Sequence, residues 1–187
     1  DGDLQIIDVS NPQNPVLLVT YDTLGYAESF FASDNIAYVA EGYAGLEIID
    51  VSNPQNPVLL SYYATPDYAY SVFISNNIAY VADGLSGLQI IDVSNPQNPV
   101  LLGAYDTLGS ARSVFVSDNI AYVADLDAGL QIIDVSNPQN PVLLGAYDTS
   151  GSALSVFVSN NIAYVADGDL QIIDVSNPQN PVLLGAY

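Results

Sequence analysis

The sequence predicts an all-β chain of tandem four-stranded antiparallel units, and three observations carry that prediction. The octapeptide Asp-Val-Ser-Asn-Pro-Gln-Asn-Pro begins at Asp8, Asp50, Asp92, Asp134 and Asp174, at spacings of 42, 42, 42 and 40 residues. Each interval holds four short runs of β-branched, aromatic and aliphatic residues bounded by turn formers. No segment shows the 3.6-residue apolar period of a surface helix.

The third complete unit, residues 106–147, shows the elements in order. Strand A is Ser-Val-Phe-Val-Ser at 113–117, and strand B is Asn-Ile-Ala-Tyr-Val-Ala at 119–124. Between them Asp118-Asn119, Asn-Asn in other units, supplies residues that tolerate the positive φ of a tight hairpin, so A and B pair antiparallel. Strand C, at 130–135, is apolar on both alternating faces: Leu130 and Ile132 on one, Ile133 and Val135 on the other. Ser-Asn-Pro-Gln-Asn-Pro at 136–141 ends it, because two prolines fix φ and withhold donors, and strand D follows at 142–147. A strand buried on both faces requires a sheet between two neighbours. Four strands in a repeat of about 40 to 45 residues are the pattern of a β-propeller-type array.

The units are read as blades 22–63, 64–105, 106–147 and 148–187, preceded by a half blade, 1–21, that holds only strands C and D. Residues 1–21 match 167–187 at every position but Val19 and Thr20, so the chain is expected to be an excerpt of a longer array. The half blade should find strands A and B in a neighbouring copy, and so drive self-association, or in further parts of the same parent chain.

Gly45-Leu-Glu-Ile-Ile-Asp50, Gly87-Leu-Gln-Ile-Ile-Asp92 and Gly129-Leu-Gln-Ile-Ile-Asp134, each followed by Val-Ser-Asn-Pro, resemble the LVIVD repeat family of bacterial and archaeal surface proteins. The resemblance covers essentially the whole chain. It implies a β-propeller, an extracellular or cell-surface location and no general enzymatic activity.

Composition narrows the function classes. One basic residue, Arg112, against 21 acidic ones gives a net charge of −20, which repels nucleic acid and anionic surfaces. No apolar run approaches the roughly 20 residues of a membrane-spanning helix. With no His and no Cys, imidazole and thiol catalysis are excluded.

Carboxylate pairs remain as a route to hydrolysis. Asp8, Asp50, Asp92, Asp134 and Asp174 recur in every unit, which assigns them a structural role, accepting backbone N–H groups of the Asn-Pro turn. No metal site or cofactor is expected; the acidic loops Asp1-Gly-Asp3, Asp125-Leu-Asp127 and Asp167-Gly-Asp169 are weak calcium candidates, far short of six to eight oxygens.

The units differ in two stretches, the D-to-A connection and the B-to-C loop, which emerge on one face of the array. Loops on a rigid scaffold carry binding residues. Glu28, Tyr70, Arg112 and Leu154 stand at equivalent positions there, and Tyr26, Tyr43 and Tyr68 fall outside the repeated tyrosine register, as does Tyr62. Three functional classes follow. In order of support they are a surface scaffold that assembles into a ring or filament, a propeller module binding a glycan or protein ligand on the variable face, and a carboxylate hydrolase.

Overall fold

The computed structural model describes residues 3–187. Its strands grow from hairpins whose turns are set by two residues with positive φ: Asp34 and Asn35, Asn76 and Asn77, Asp118 and Asn119, Asn160 and Asn161. Two left-handed residues match the twist of a two-residue hairpin, which selects Asn and Asp there. Because Asn119 belongs to the turn, at φ 60°, strand B of that unit begins one residue later than its sequence suggests.

Eighteen strands and no helix are present among the described residues. A two-stranded sheet, β1 (Leu4–Asp8) and β2 (Val16–Tyr21), comes first. Four antiparallel four-stranded sheets follow. The first comprises β3 (Ser29–Ser33), β4 (Ile36–Ala40), β5 (Leu46–Asp50) and β6 (Val58–Tyr63); the second β7 (Ser71–Ser75), β8 (Ile78–Ala82), β9 (Leu88–Asp92) and β10 (Val100–Tyr105). The third comprises β11 (Ser113–Ser117), β12 (Ile120–Ala124), β13 (Leu130–Asp134) and β14 (Val142–Tyr147); the fourth β15 (Ser155–Ser159), β16 (Ile162–Ala166), β17 (Leu170–Asp174) and β18 (Val182–Ala186). Within each sheet the order is A-B-C-D.

Strand C decides how the sheets pack. One face of β9, Leu88 and Ile90, joins Tyr80 and Ala82 against Val114, Val116, Ala121, Val123 and Ile133 of the next sheet. The same layer forms between the third and fourth sheets, around Leu130, Ile132, Val156 and Ile173. The first and second sheets meet around Leu46, Ile48, Val81 and Ile91, and Leu4 of the hairpin covers Ala37, Val39 and Ile49. The core is thus a series of layers between sheets rather than one centre. Each buried Leu or Ile contributes roughly 1.5–3 kcal/mol relative to exposure.

The A strands of successive sheets approach closely. Phe31, Phe73, Phe115 and Phe157 stack edge-on or tilted, with centroids 5.2, 5.0 and 5.1 Å apart. The D strands are the most exposed of each sheet. They also carry a feature absent from a plain alternating pattern: every C–D ladder shifts register at one point, where Leu18, Leu60, Leu102, Leu144 or Leu184 is skipped. This β-bulge turns the extra leucine toward the inter-sheet layer, where Leu60, Leu102 and Leu144 pack.

Candidate functional site

The loop face is built by short bridges between neighbours. Gly42 and Ala69 exchange backbone hydrogen bonds, as do Gly84 and Ala111, and Leu126 and Ala153. Each bridge ties the B-to-C loop of one unit to the D-to-A connection of the next. Leu126 holds φ at 44°, where the other three units have glycine, and so keeps a side chain on this face at the cost of a strained backbone.

Beneath the loops lies a second fastening that sequence reasoning missed. Glu41, Asp83 and Asp125 are buried acids at the end of strand B, and Asp167 is their counterpart in the last unit. Asp125 accepts from Thr107 Oγ1 at 2.7 Å and from Gly109 N at 2.9 Å, Glu41 from Gly25 N at 3.0 Å, and Asp83 from Asp67 N at 3.1 Å. Each carboxylate thereby clamps the D-to-A connection leading into its own sheet. Burial raises the pKa of Glu41 and Asp125 and lifts that of Asp83 to about 6. Glu47, which accepts from Tyr21 Oη and Leu24 N, is also raised by burial. The legible signal was an acid at 41, 83, 125 and 167 with Thr 18 residues before it, constant while its loop varies.

Above this clamp the structure gathers most of the predicted face residues. Tyr43 meets Tyr68 edge-on at 4.7 Å, and Tyr68 stacks obliquely on Tyr70 at 4.5 Å. The Arg112 guanidinium lies 3.9 Å over the Tyr70 ring, a cation–π contact between units. Tyr68 Oη donates to Glu28 Oε1, and this hydrogen bond to a carboxylate pushes the phenol up to about 12. Arg112 Nε is buried without a hydrogen-bond partner, and Arg112 makes no ion pair among the described residues. Tyr26 joins the edge of the cluster beside Tyr43, whereas Leu154 stands one unit further on, exposed, lining neither tyrosine cavity. Tyr62 projects from strand D, away from the cluster.

The turn aspartates form a different set. Oδ1 of Asp8, Asp50, Asp92, Asp134 and Asp174 accepts from the N–H of Ser10, Ser52, Ser94, Ser136 and Ser176 at 2.8 Å in each case. These backbone and hydroxyl donors hold all five carboxyls below their usual range. The donor is the serine two residues on, an Asx turn, rather than an Asn-Pro amide.

Among the calcium candidates, Asp1 lies outside the described residues. Asp125 is committed to its clamp, Asp127 accepts from Ser152 Oγ at 3.0 Å, and Asp167 accepts from Asp169 N and Gln171 Nε2. No cluster of three or more His, Cys, Asp or Glu suited to a metal occurs among the described residues.

Stacked four-stranded repeats with a loop-borne aromatic cluster define an all-β tandem-repeat protein. The chain belongs to the LVIVD repeat family, whose model matches residues 1–23, 24–65, 66–107, 108–149 and 150–187. No curated protein matches it. Among solved structures, it is similar to a functionally unknown protein from Desulfotomaculum acetoxidans DSM 771, with TM-score 0.77 and 16% identity over 99% of this chain and 63% of that one. It is also similar to two computationally designed proteins. Ika8 gives TM-score 0.70 at 14% identity over 88% of this chain, which spans 51% of that chain. Ika4 gives 0.66 at 12% over 88% of this chain and 94% of that one. At these identities the likeness concerns the fold alone.

Proposed function

We propose that this chain is a non-enzymatic scaffold of a cell surface, a propeller-type array that assembles by adding further units to its ends. The observation that carries this is the outer face of the last sheet. Phe157, Tyr164 and Leu170 are 55%, 36% and 41% exposed there, whereas their equivalents Tyr122 and Leu130 are buried by the following sheet. At the other end, Phe30 is 62% exposed where its equivalents Val72 and Val114 are covered. Beside it is an apolar cavity of about 250 Å³ lined by Leu4, Ile6, Phe30 and Ala32 among others. The propeller reading is supported by the close row of A strands against exposed D strands, the fan that radial packing requires.

The occupant is a further run of these units, which in solution a second copy of the chain can supply. Every strand B is already paired on both edges, β16 with β15 and β17, so the join is face to face. Ile7 and Val9 of the first hairpin are 45% and 65% exposed, whereas their equivalents Ile173 and Val175 are buried against the preceding sheet, so the exposed face of the last sheet in one copy can cover them in the next. Head-to-tail addition then gives a ring or a filament according to whether the rotation closes. Light scattering on the separated chain tests this. The wild type should show species larger than one copy, growing with concentration, and Leu170→Asp should abolish them while retaining the β circular dichroism. A monomer at all concentrations, or assembly unaffected by Leu170→Asp, would overturn the reading.

A further inference from the structure

The loop face carries a groove that the scaffold role does not use. Three cavities of about 560, 380 and 440 Å³ run along it. The first and second share Tyr43 and Tyr68; the second and third share Leu85 and Leu126. They therefore form one elongated depression across successive units. Tyr43, at its centre, is 81% exposed. Its neighbours fix its ring without covering it, so contact area is offered at little further cost in side-chain entropy.

We infer that this groove binds a neutral oligosaccharide, with the exposed Tyr43 ring as a platform for the apolar face of a sugar ring, Arg112 and Asp67 as hydrogen-bonding partners for hydroxyls, and Tyr70 as the support that positions Arg112. The chemistry of the groove selects this class by elimination and by fit. An anionic polymer meets a molecule of net charge −20, whose sole cation is Arg112. A cationic ligand would meet Arg112, the cation that lines the same cavity, while the nearby carboxylates, Asp67 and Glu28, already accept from Leu85 N and Tyr68 Oη. An extended peptide gains affinity from free backbone groups along an edge, but those at this face are spent in the bridges between Gly42 and Ala69, Gly84 and Ala111, and Leu126 and Ala153.

What remains exposed is aromatic and aliphatic surface with a few polar groups converging on it, the usual make-up of a small-ligand site. Asp67 Oδ2 accepts from Leu85 N at 2.7 Å, which fixes that carboxylate at the groove wall. Among the described residues Arg112 makes no ion pair, which leaves its outer N–H groups to a hydroxyl acceptor. Nε is buried without a hydrogen-bond partner, and the guanidinium is held against the Tyr70 ring by packing rather than by an ion pair.

The test is isothermal titration calorimetry on the full chain. The probes are neutral hexasaccharides of glucose, N-acetylglucosamine and mannose, with hexagalacturonate and a lysine-rich peptide as charged comparators. At least one neutral hexasaccharide should bind, with a Kd insensitive to added salt because no ion pair forms. Tyr43→Ala and Tyr70→Ala should each weaken it by about tenfold or more, equivalent to about 1.4 kcal/mol. Tyr70→Phe, which keeps the ring, should leave binding near wild type, and Leu170→Asp should leave it unchanged, separating this site from assembly. Circular dichroism melts matching the wild type show that the alanine variants are folded. No binding by any neutral hexasaccharide, binding only by a charged probe, or full affinity in a folded Tyr43→Ala Tyr70→Ala variant would overturn the assignment.

Discussion

Lowering the pH from neutrality should make this acidic protein more stable before it makes it less so. Asp83 is fully buried, with Oδ1 lacking any hydrogen-bond partner, and burial raises its pKa from 3.8 to about 6. Between about pH 4 and pH 6 the native state therefore holds a proton that the unfolded chain has released, and stability falls as pH rises through that window. A shift of about two units at 1.36 kcal/mol per unit corresponds to roughly 2–3 kcal/mol from this residue. Burial raises Glu41, Glu47 and Asp125 as well, in the same sense. The turn aspartates act oppositely: their lowered pKa stabilises above the unfolded value near 3.8 and is lost as pH falls through the folded value. Stability should thus peak near pH 4. Urea unfolding at half-unit steps from about pH 4 to pH 8 measures the curve, and Asp83→Asn removes its titration. The wild type should lose stability between pH 5 and pH 7, and Asp83→Asn should show a shallower slope. Wild-type stability that rises over that interval, or an unchanged slope in Asp83→Asn, would refute the argument.

Two smaller perturbations test the layers and the turns. A Cβ at Gly145 would lie 2.3 Å from Pro178 O of the next unit, so Gly145→Val should cost about 1–3 kcal/mol in a thermal or urea melt. Gly145→Ser should be milder, since Ser61 at the equivalent place donates to Pro96 O at 2.6 Å. Asp92→Ala removes an exposed hydrogen bond to Ser94 N that water replaces, and should cost no more than about 1 kcal/mol.

Much of this architecture is local, which is why the residues reveal it. Asn-Asn and Asp-Asn encode left-handed turns through their own side chains, and a strand C apolar on both faces states that it has two neighbours. The D-strand bulge is not local in that sense. Val142-Leu143-Leu144 reads as a continuous apolar run until the partner strand shows that Leu144 is skipped. The site was half legible. Comparison between units singled out Glu28, Tyr70 and Arg112, but the stacking of Arg112 on Tyr70 joins residues 42 positions apart and follows from how neighbouring units abut. The buried acids were hidden by the ordinary behaviour of Asp and Glu in loops. Their burial depends on the D-to-A connection folding over them, which no single-unit pattern expresses.

The central claim, that the last sheet of one copy covers the hairpin of the next, can be read directly by cysteine protection, since the chain contains no cysteine of its own. Val175 is buried against the third sheet, and its counterpart in the first hairpin, Val9, is 65% exposed. In Val9→Cys, maleimide labelling should be fast in dilute protein and should slow several-fold as rising concentration drives assembly. Tyr62→Cys, on the exposed strand D of the first sheet, should label at one rate throughout. Labelling of Val9→Cys that does not change with concentration, or monomers throughout, would contradict the account.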